Sequence, residues 1–330
     1  MATSAPRFDD GAAYESYMGR WSRLVAREFL TWLDAPAHAD WLDVCCGTGA
    51  LTQTILALAA PASVRGIDRS PDFIAFARTH TDDPRANFVV GDAQALPESD
   101  AVADVVVSGL AINFVPQPEK VAAELARVAR PDGIVAAYVW DYAGEMQLMR
   151  YFWDAMVELD PAAEPQDGGK RFPLCAPGPL AQLFTAVGLR QVETRAIDIP
   201  TVFRDFDDYW TPFLSGQGAA PGYVLSLNEE RRTKLRDLVR SRLPIAGDGS
   251  ISLIARAWAV KGKRERPYPM CRRRGAGSCL SAGRGQPSPQ SPAVRARVAR
   301  SAGRRCRGRR HRRSRVARGI QPPPPQSLPR

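Results

Sequence analysis

The feature that most constrains this chain is a short apolar strand that ends in an acid, passes through a glycine-rich turn and opens a helix. It reads WLDVCCGTGALT at residues 41–52. Glycines at 47 and 49 let the backbone take positive φ and leave no Cβ in the way of a ligand. A helix opening near Ala50 turns unpaired N–H groups toward the same space, where a carboxylate or phosphate is favoured. Such a turn needs a sheet edge to stand on, and the following sequence provides one.

From Trp41 onward, short apolar strands alternate with helical segments. SVRGID, ANFVVGD, ADVVVSG and GIVAAYVW read as strands two to five. Helices are expected over residues 50–60, over SPDFIAFARTH and over PEKVAAELARVAR. This alternation predicts an α/β fold, a doubly wound parallel sheet with helices on both faces. Aromatic and apolar residues at helical spacing over residues 9–34 predict a helical cover before the sheet. After strand five, WDYAGEMQLMRYFWDAMVELD reads as helix, residues 161–171 as a polar loop, and PGPLAQLFTAVGL as a helix ending at a glycine stop. QVETRAIDIPTVF and SISLIARAWAV alternate as half-buried strands. Between them, about residues 204–244 form a helical excursion that could serve as a lid.

Charge divides the chain in two. Residues 264–330 hold 19 arginines, no lysine and one acid, so they carry about +18 and leave residues 1–263 at about −8. The arginine-rich segment lacks apolar periodicity and is expected to be disordered. Its composition matches out-of-frame translation of a GC-rich gene; a nucleic-acid-binding arm is the alternative. The expected organisation is therefore a cover at 1–40, a ligand-binding domain at 41–263 and a tail at 264–330. No signal peptide or membrane-length apolar run is present, which predicts a cytoplasmic location without membrane partners. Six cysteines include no C-x-x-C pair, and the three histidines stand far apart, so no metal is expected.

The glycine turn suits two cofactor types. A dinucleotide fold wants a third glycine, but this chain has Gly47-Thr48-Gly49-Ala50-Leu51-Thr52. Asp43, just ahead of the turn, is a poor neighbour for pyrophosphate and a good one for an ammonium group. With GIDRSPDFIAFAR, GDAQALP and DVVVSGLAINFVPQPEKVAAELARVARPDGIVAAYVW following in order, residues 10–262 resemble a class I S-adenosylmethionine (SAM)-dependent methyltransferase. The likeness is to the small-molecule enzymes of methyltransferase type 11. It implies a mostly parallel, seven-stranded Rossmann-like sheet with an antiparallel last strand, SAM as cofactor and a small-molecule methyl acceptor.

The resemblance also implies roles. Asp43 would hold the methionine ammonium, and Cys45, Gly47, Thr48 and Gly49 would line the methionine backbone. Asp68 would accept from both ribose hydroxyls, as an acceptor-only carboxylate can. Arg69 and Phe73 would flank the adenine, while Asp92 and the Ala93 N–H would read its edge. Ser108 and Gly109 would close over the methionine end, and Tyr14 and Arg20 would reach in from the cover, Arg20 toward the methionine carboxylate. Cys45 stands where the family's D-V-G-C-G-T-G turn has glycine; a backbone conformation that tolerates a side chain is expected there.

No histidine lies at the carboxyl edge of the strands, which leaves Asp141 as the candidate base or substrate anchor. Trp140, Tyr142, Trp153, Phe206, Tyr209 and Trp210 are candidate pocket walls, with plain core as the alternative. Nucleic acid is disfavoured as acceptor: SGLA replaces the D/N-P-P-Y/F sequence of base-methylating enzymes, Pro-Cys is missing, and the acidic body repels phosphates. The competing function is a nucleic-acid-binding protein that uses the arginine tail beside a SAM-sensing fold.

Overall fold

The computed structural model describes residues 19–215 and 218–266. All of them fall in the first of the chain's two units, Met1–Met270. Tyr14 and the other residues of 1–18, expected as part of the cover, and most of the arginine-rich tail lie outside the described residues.

A seven-stranded sheet runs in the order β3-β2-β1-β4-β5-β7-β6. Its strands are β1 (Asp40–Val44), β2 (Ser63–Asp68), β3 (Ala86–Val90), β4 (Ala103–Gly109), β5 (Ala129–Trp140), β6 (Arg190–Phe203) and β7 (Ile251–Lys263). Strands β1 to β5 pair parallel, and β7 runs antiparallel to both β5 and β6. The central strands are continuous apolar runs because helices cover both faces. Strand order reverses beside β1, where the chain crosses from the β2 side to β4, and that switch point opens a crevice beyond the carboxyl ends of the strands.

Helix α1 (Arg20–Leu33) lays Trp21, Val25, Phe29 and Leu33 on the core, one apolar stripe at 3.6-residue spacing. Helix α2 (Ala50–Leu58) follows the glycine turn. Helix α3 (Pro71–Thr79) starts at Ser70, whose Oγ accepts from Phe73 N at 3.3 Å, with Pro71 pre-set for its first turn. Helix α4 (Pro118–Val128) buries Val121, Ala122, Leu125 and Val128.

After β5 the helix begins later than the sequence pattern suggests. Asp141 Oδ1 and Oδ2 accept from Gly144 N at 3.0 Å and Glu145 N at 2.9 Å, which ties residues 141–146 into a turn. Helix α5 (Gln147–Leu159) therefore starts only at Gln147. A short helix α6 (Gly168–Arg171) interrupts the expected loop, capped by Asp167 Oδ1 accepting from Gly169 N at 2.8 Å. Helix α7 (Pro177–Ala186) ends near Gly188, at φ +80°. The excursion between β6 and β7 comprises α8 (Phe206–Trp210), α9 (Ala219–Ser226) and α10 (Glu229–Arg242).

That excursion is fastened by aromatic packing. Phe152 and Phe213 stack with centroids 4.6 Å apart, Tyr209 meets Phe213 at 5.5 Å, and Tyr209 Oη donates to Leu148 O at 2.8 Å. Beyond β7, Arg264 hydrogen-bonds the carbonyls of Arg127 and Ala129, Arg266 pairs with Asp132, and Arg264 N bonds Gly133 O. The first residues of the compositional tail thus extend the pairing of β7 with β5. Among the described residues, no helix is long and apolar enough to cross a membrane.

Candidate active site

The site starts with β1. Its buried residues Trp41 to Val44 fix the strand between β2 and β4, which leaves Asp43 fully buried at the strand's end. Thr52 Oγ1, one turn into α2, donates to Asp43 Oδ2 at 2.7 Å. Oδ1 is buried without a hydrogen-bond partner. Burial pushes the Asp43 carboxyl up to about 7; the Thr52 hydroxyl opposes the rise and the charge on Asp68 adds to it. A carboxylate held dry with one open oxygen is a receptor for a cation or a strong donor.

The chain then turns through Cys45 (φ +60°), Gly47 (φ +53°) and Gly49 (φ +88°) into α2. Cys45 therefore adopts the left-handed conformation that favours glycine, contrary to the expectation of a tolerant backbone there. The turn is closed by Gly49 N donating to Cys46 O at 2.9 Å and Gln53 N to Gly49 O at 2.8 Å. Burial pushes both thiols, Cys45 and Cys46, above their ordinary range, with nearby carboxylates adding to the effect. These are poor thiolates. Among the described residues, no cluster of three or more His, Cys, Asp or Glu side chains is placed to hold a metal.

Asp68 closes β2 beside this turn. Its Oδ2 accepts from Gly47 N at 3.0 Å and its Oδ1 from Ser70 N at 2.9 Å. Burial raises its pKa, and these two N–H groups, with Arg69, pull against that rise. Asp92, after β3, accepts from Gln94 N at 2.9 Å. On the far side of the crevice, Gly109 makes room for the Tyr138 side chain: a Cβ there would lie 2.6 Å from Tyr138 Oη. Leu110, just beyond, is also left-handed at φ +59°, the second such non-glycine residue lining the crevice after Cys45.

These pieces enclose a cavity of about 360 Å³. Its walls include Asp43, Cys45, Gly47, Thr48, Asp68, Arg69, Phe73, Asp92, Ala93 and Gly109, all expected from the sequence. They also include residues that sequence reasoning gave no role: Ser22, Tyr138, Phe114, Val115, Arg171 and Phe172. Only Phe114 and Val115 carried a signal, since they follow β4 at the carboxyl edge where ligands bind. Arg171 and Phe172 arrive from the short helix α6, and Ser22 from α1; nothing local in the sequence marks them.

Other expected residues stand elsewhere. Gly49 and Ser108 lie behind the wall, Gly49 as the start of α2 and Ser108 buried in β4. Arg20 does not line the cavity; its Nη1 meets Asp208 Oδ1 at 3.1 Å, and its guanidinium lies over the rings of Trp21 at 4.4 Å and Phe203 at 4.8 Å. It fastens α1 to the excursion. Asp141 is likewise outside the cavity, and both its oxygens are spent on turn N–H groups, the role of a structural turn acid. Trp140, Tyr142, Trp153, Phe206, Tyr209 and Trp210 are buried core, and none lines the cavity.

Comparison with known proteins fits this geometry. Residues 42–137 match the family model of a methyltransferase domain. A malonyl-[acyl-carrier protein] O-methyltransferase of Hahella chejuensis is 30% identical over 129 residues, 39% of this chain and 46% of that protein. A 2-methyl-6-phytyl-1,4-hydroquinone methyltransferase of Synechocystis is 32% identical over 204 residues, 59% of this chain and 62% of that protein. The chain thus spans about half the length of the curated relatives it matches. Among solved structures, a candidate methyltransferase of Bacillus halodurans C-125 superposes with a TM-score of 0.51 at 15% identity, covering 73% of this chain and 99% of the other. The YcgJ protein of Bacillus subtilis gives 0.50 at 16% identity over 74% of this chain and 99% of its own. Those two likenesses speak to the fold alone. The residues that match, 42–137, include most of the cavity wall, so the likeness to methyltransferase domains falls on the site itself.

Proposed function

We propose that this chain binds SAM and transfers its methyl group to a small-molecule acceptor. The observation that carries this reading is the buried, half-satisfied Asp43 carboxylate at the floor of a cavity whose rim bears Asp68 and Asp92. The residues suit the cofactor. Asp43 Oδ1 is the one carboxylate oxygen of that residue free to take the methionine ammonium. Asp68, held by Gly47 N and Ser70 N, would accept the ribose hydroxyls with its remaining lone pairs. Phe73 and Arg69 would flank the adenine, and Asp92 with the Ala93 N–H would face its edge.

When bound, SAM supplies an already activated methyl on a sulfonium. The protein's contribution is then orientation and exclusion of water, which the apolar wall of Leu51, Leu110, Phe114 and Val115 can provide. Among the described residues lining the cavity there is no histidine, and with Asp141 outside it no dedicated general base is assigned. This suits an acceptor whose nucleophilic atom is already anionic or carries a free lone pair.

Isothermal calorimetry of the full chain with SAM, S-adenosylhomocysteine and NAD tests the proposal. Binding of the first two and not the third is expected; failure of both sulfur ligands to bind would end it. The acidic body and the absence of base-reading motifs speak against a nucleic-acid acceptor.

A further inference from the structure

Five charged side chains line the cavity: the three acids have hydrogen-bond partners, and neither arginine makes an ion pair among the described residues. Asp43 is bound by Thr52, Asp68 by two backbone N–H groups, Asp92 by Gln94, and Arg69 lies in the field of Asp68 beside it. The fifth is Arg171. Among the described residues its guanidinium has no acidic partner, although the cations around it are all paired. Lys170 meets Glu164 at 3.2 Å, and Arg150 meets Asp167 at 2.7 Å and Asp154 at 2.9 Å.

Arg171 itself is exposed, but the turn that carries it is held in place. The helix is capped by Asp167, whose carboxylate is only 6% exposed and is gripped by both Nη atoms of Arg150. The Arg171 guanidinium lies 5.2 Å from the ring of Phe172, and Phe172 packs edge-on against Phe114 at 5.0 Å. Phe114 is itself 39% exposed and lines the cavity. A planar cation on a braced turn beside two aromatic rings is suited to a carboxylate or phosphate carried on an apolar body. The body of the protein, at about −8 over residues 1–263, repels such anions in general, so a dedicated cation is what would admit one.

Resting on the methyltransferase reading above, we propose that the methyl acceptor is an anion, a carboxylate or phosphate on an apolar or aromatic frame, and that Arg171 holds the anionic group while Phe114 and Phe172 receive the frame. The test is binding, not turnover. The full chain, with and without saturating S-adenosylhomocysteine, is titrated with phenylacetate, phenyl phosphate and the neutral phenylacetamide, followed by ligand-observed NMR. At least one anion should bind about tenfold or more tightly than the amide, and the preferred anion distinguishes carboxylate from phosphate. Arg171→Gln should bring the anion down to the amide's affinity, and Arg171→Lys should keep part of the preference. Equal binding by all three probes, no binding by any, or a preference that survives Arg171→Gln overturns the proposal. Failure of S-adenosylhomocysteine to bind the wild-type chain strikes the methyltransferase reading alone, because the titrations without it still report whether Arg171 selects anions.

Discussion

The two halves of this molecule differ in how they treat the buried polar groups closest to the cavity. From β1 to β4, polarity is buried unfinished: Asp43 Oδ1 and Ser108 Oγ lack partners, and Cys45 and Leu110 stand in left-handed backbone. Beyond β5, most of the polar groups that could have served a ligand are consumed internally. Asp141 caps its own turn, Arg150 grips Asp167, Tyr209 Oη reaches Leu148 O, and Trp153 and Trp210 are core. Unsatisfied buried polarity and strain cost stability and persist where a ligand completes them. The first half is therefore organised for binding, and the second mainly for holding the sheet and the excursion together, with Arg171 and Phe172 as its contribution to the cavity.

Substitutions should separate the halves. The largest effect is expected from Trp153→Ala, which empties a side chain 1% exposed in the second half. Thermal or urea unfolding should show a loss of about 3–5 kcal/mol, with SAM affinity unchanged wherever the protein remains folded. Asp43→Ala should do the reverse. SAM affinity measured by calorimetry should fall by about 2–3 kcal/mol as the ammonium loses its partner, while stability rises because a dry carboxylate has gone. A stability loss there instead would dissolve the contrast.

Asp68→Ala should weaken SAM by about 1–3 kcal/mol, and unchanged affinity would move the ribose elsewhere. A pH titration sharpens the same point. Because the empty Asp43 carboxyl titrates near about 7, SAM affinity should fall about tenfold per unit as pH drops below 7 and level off above it. The linkage has the opposite sign for stability. A folded pKa of about 7 against 3.8 means that the native state binds this proton more tightly. Asp43's contribution is thus full below about pH 4 and lost as pH rises through 7. The smallest effect is expected from Cys45→Gly, which relieves a left-handed side chain at the cost of a more flexible unfolded chain. Stability should rise by about 0.5–1 kcal/mol in chemical denaturation, with SAM affinity retained.

Legibility in the sequence followed locality. The turn from Asp43 to Gly49 and the acids Asp68 and Asp92 belong to strand ends, and a strand end in a parallel sheet points to the same crevice wherever the rest of the chain goes. Position along the sequence was therefore enough to bring them together. Arg20 and Asp141 went elsewhere for one reason: a charged side chain takes whichever partner packs nearest, and here that was Asp208 in the excursion or the backbone three and four residues on. Cys45 departed from expectation for another, since a residue type does not reveal its φ.

By itself, then, the sequence determined the alternation of strands and helices, the glycine turn and the acids that frame a cofactor crevice, because periodicity and strand ends are local properties of the chain. Tertiary structure alone decided that Asp43 would be dry, that Trp153 and Tyr209 would be core, and that Arg171 and Phe172 would reach the cavity. Burial, pairing and distance arise only when segments far apart in the chain, such as residues 43, 138 and 171, are brought around one space.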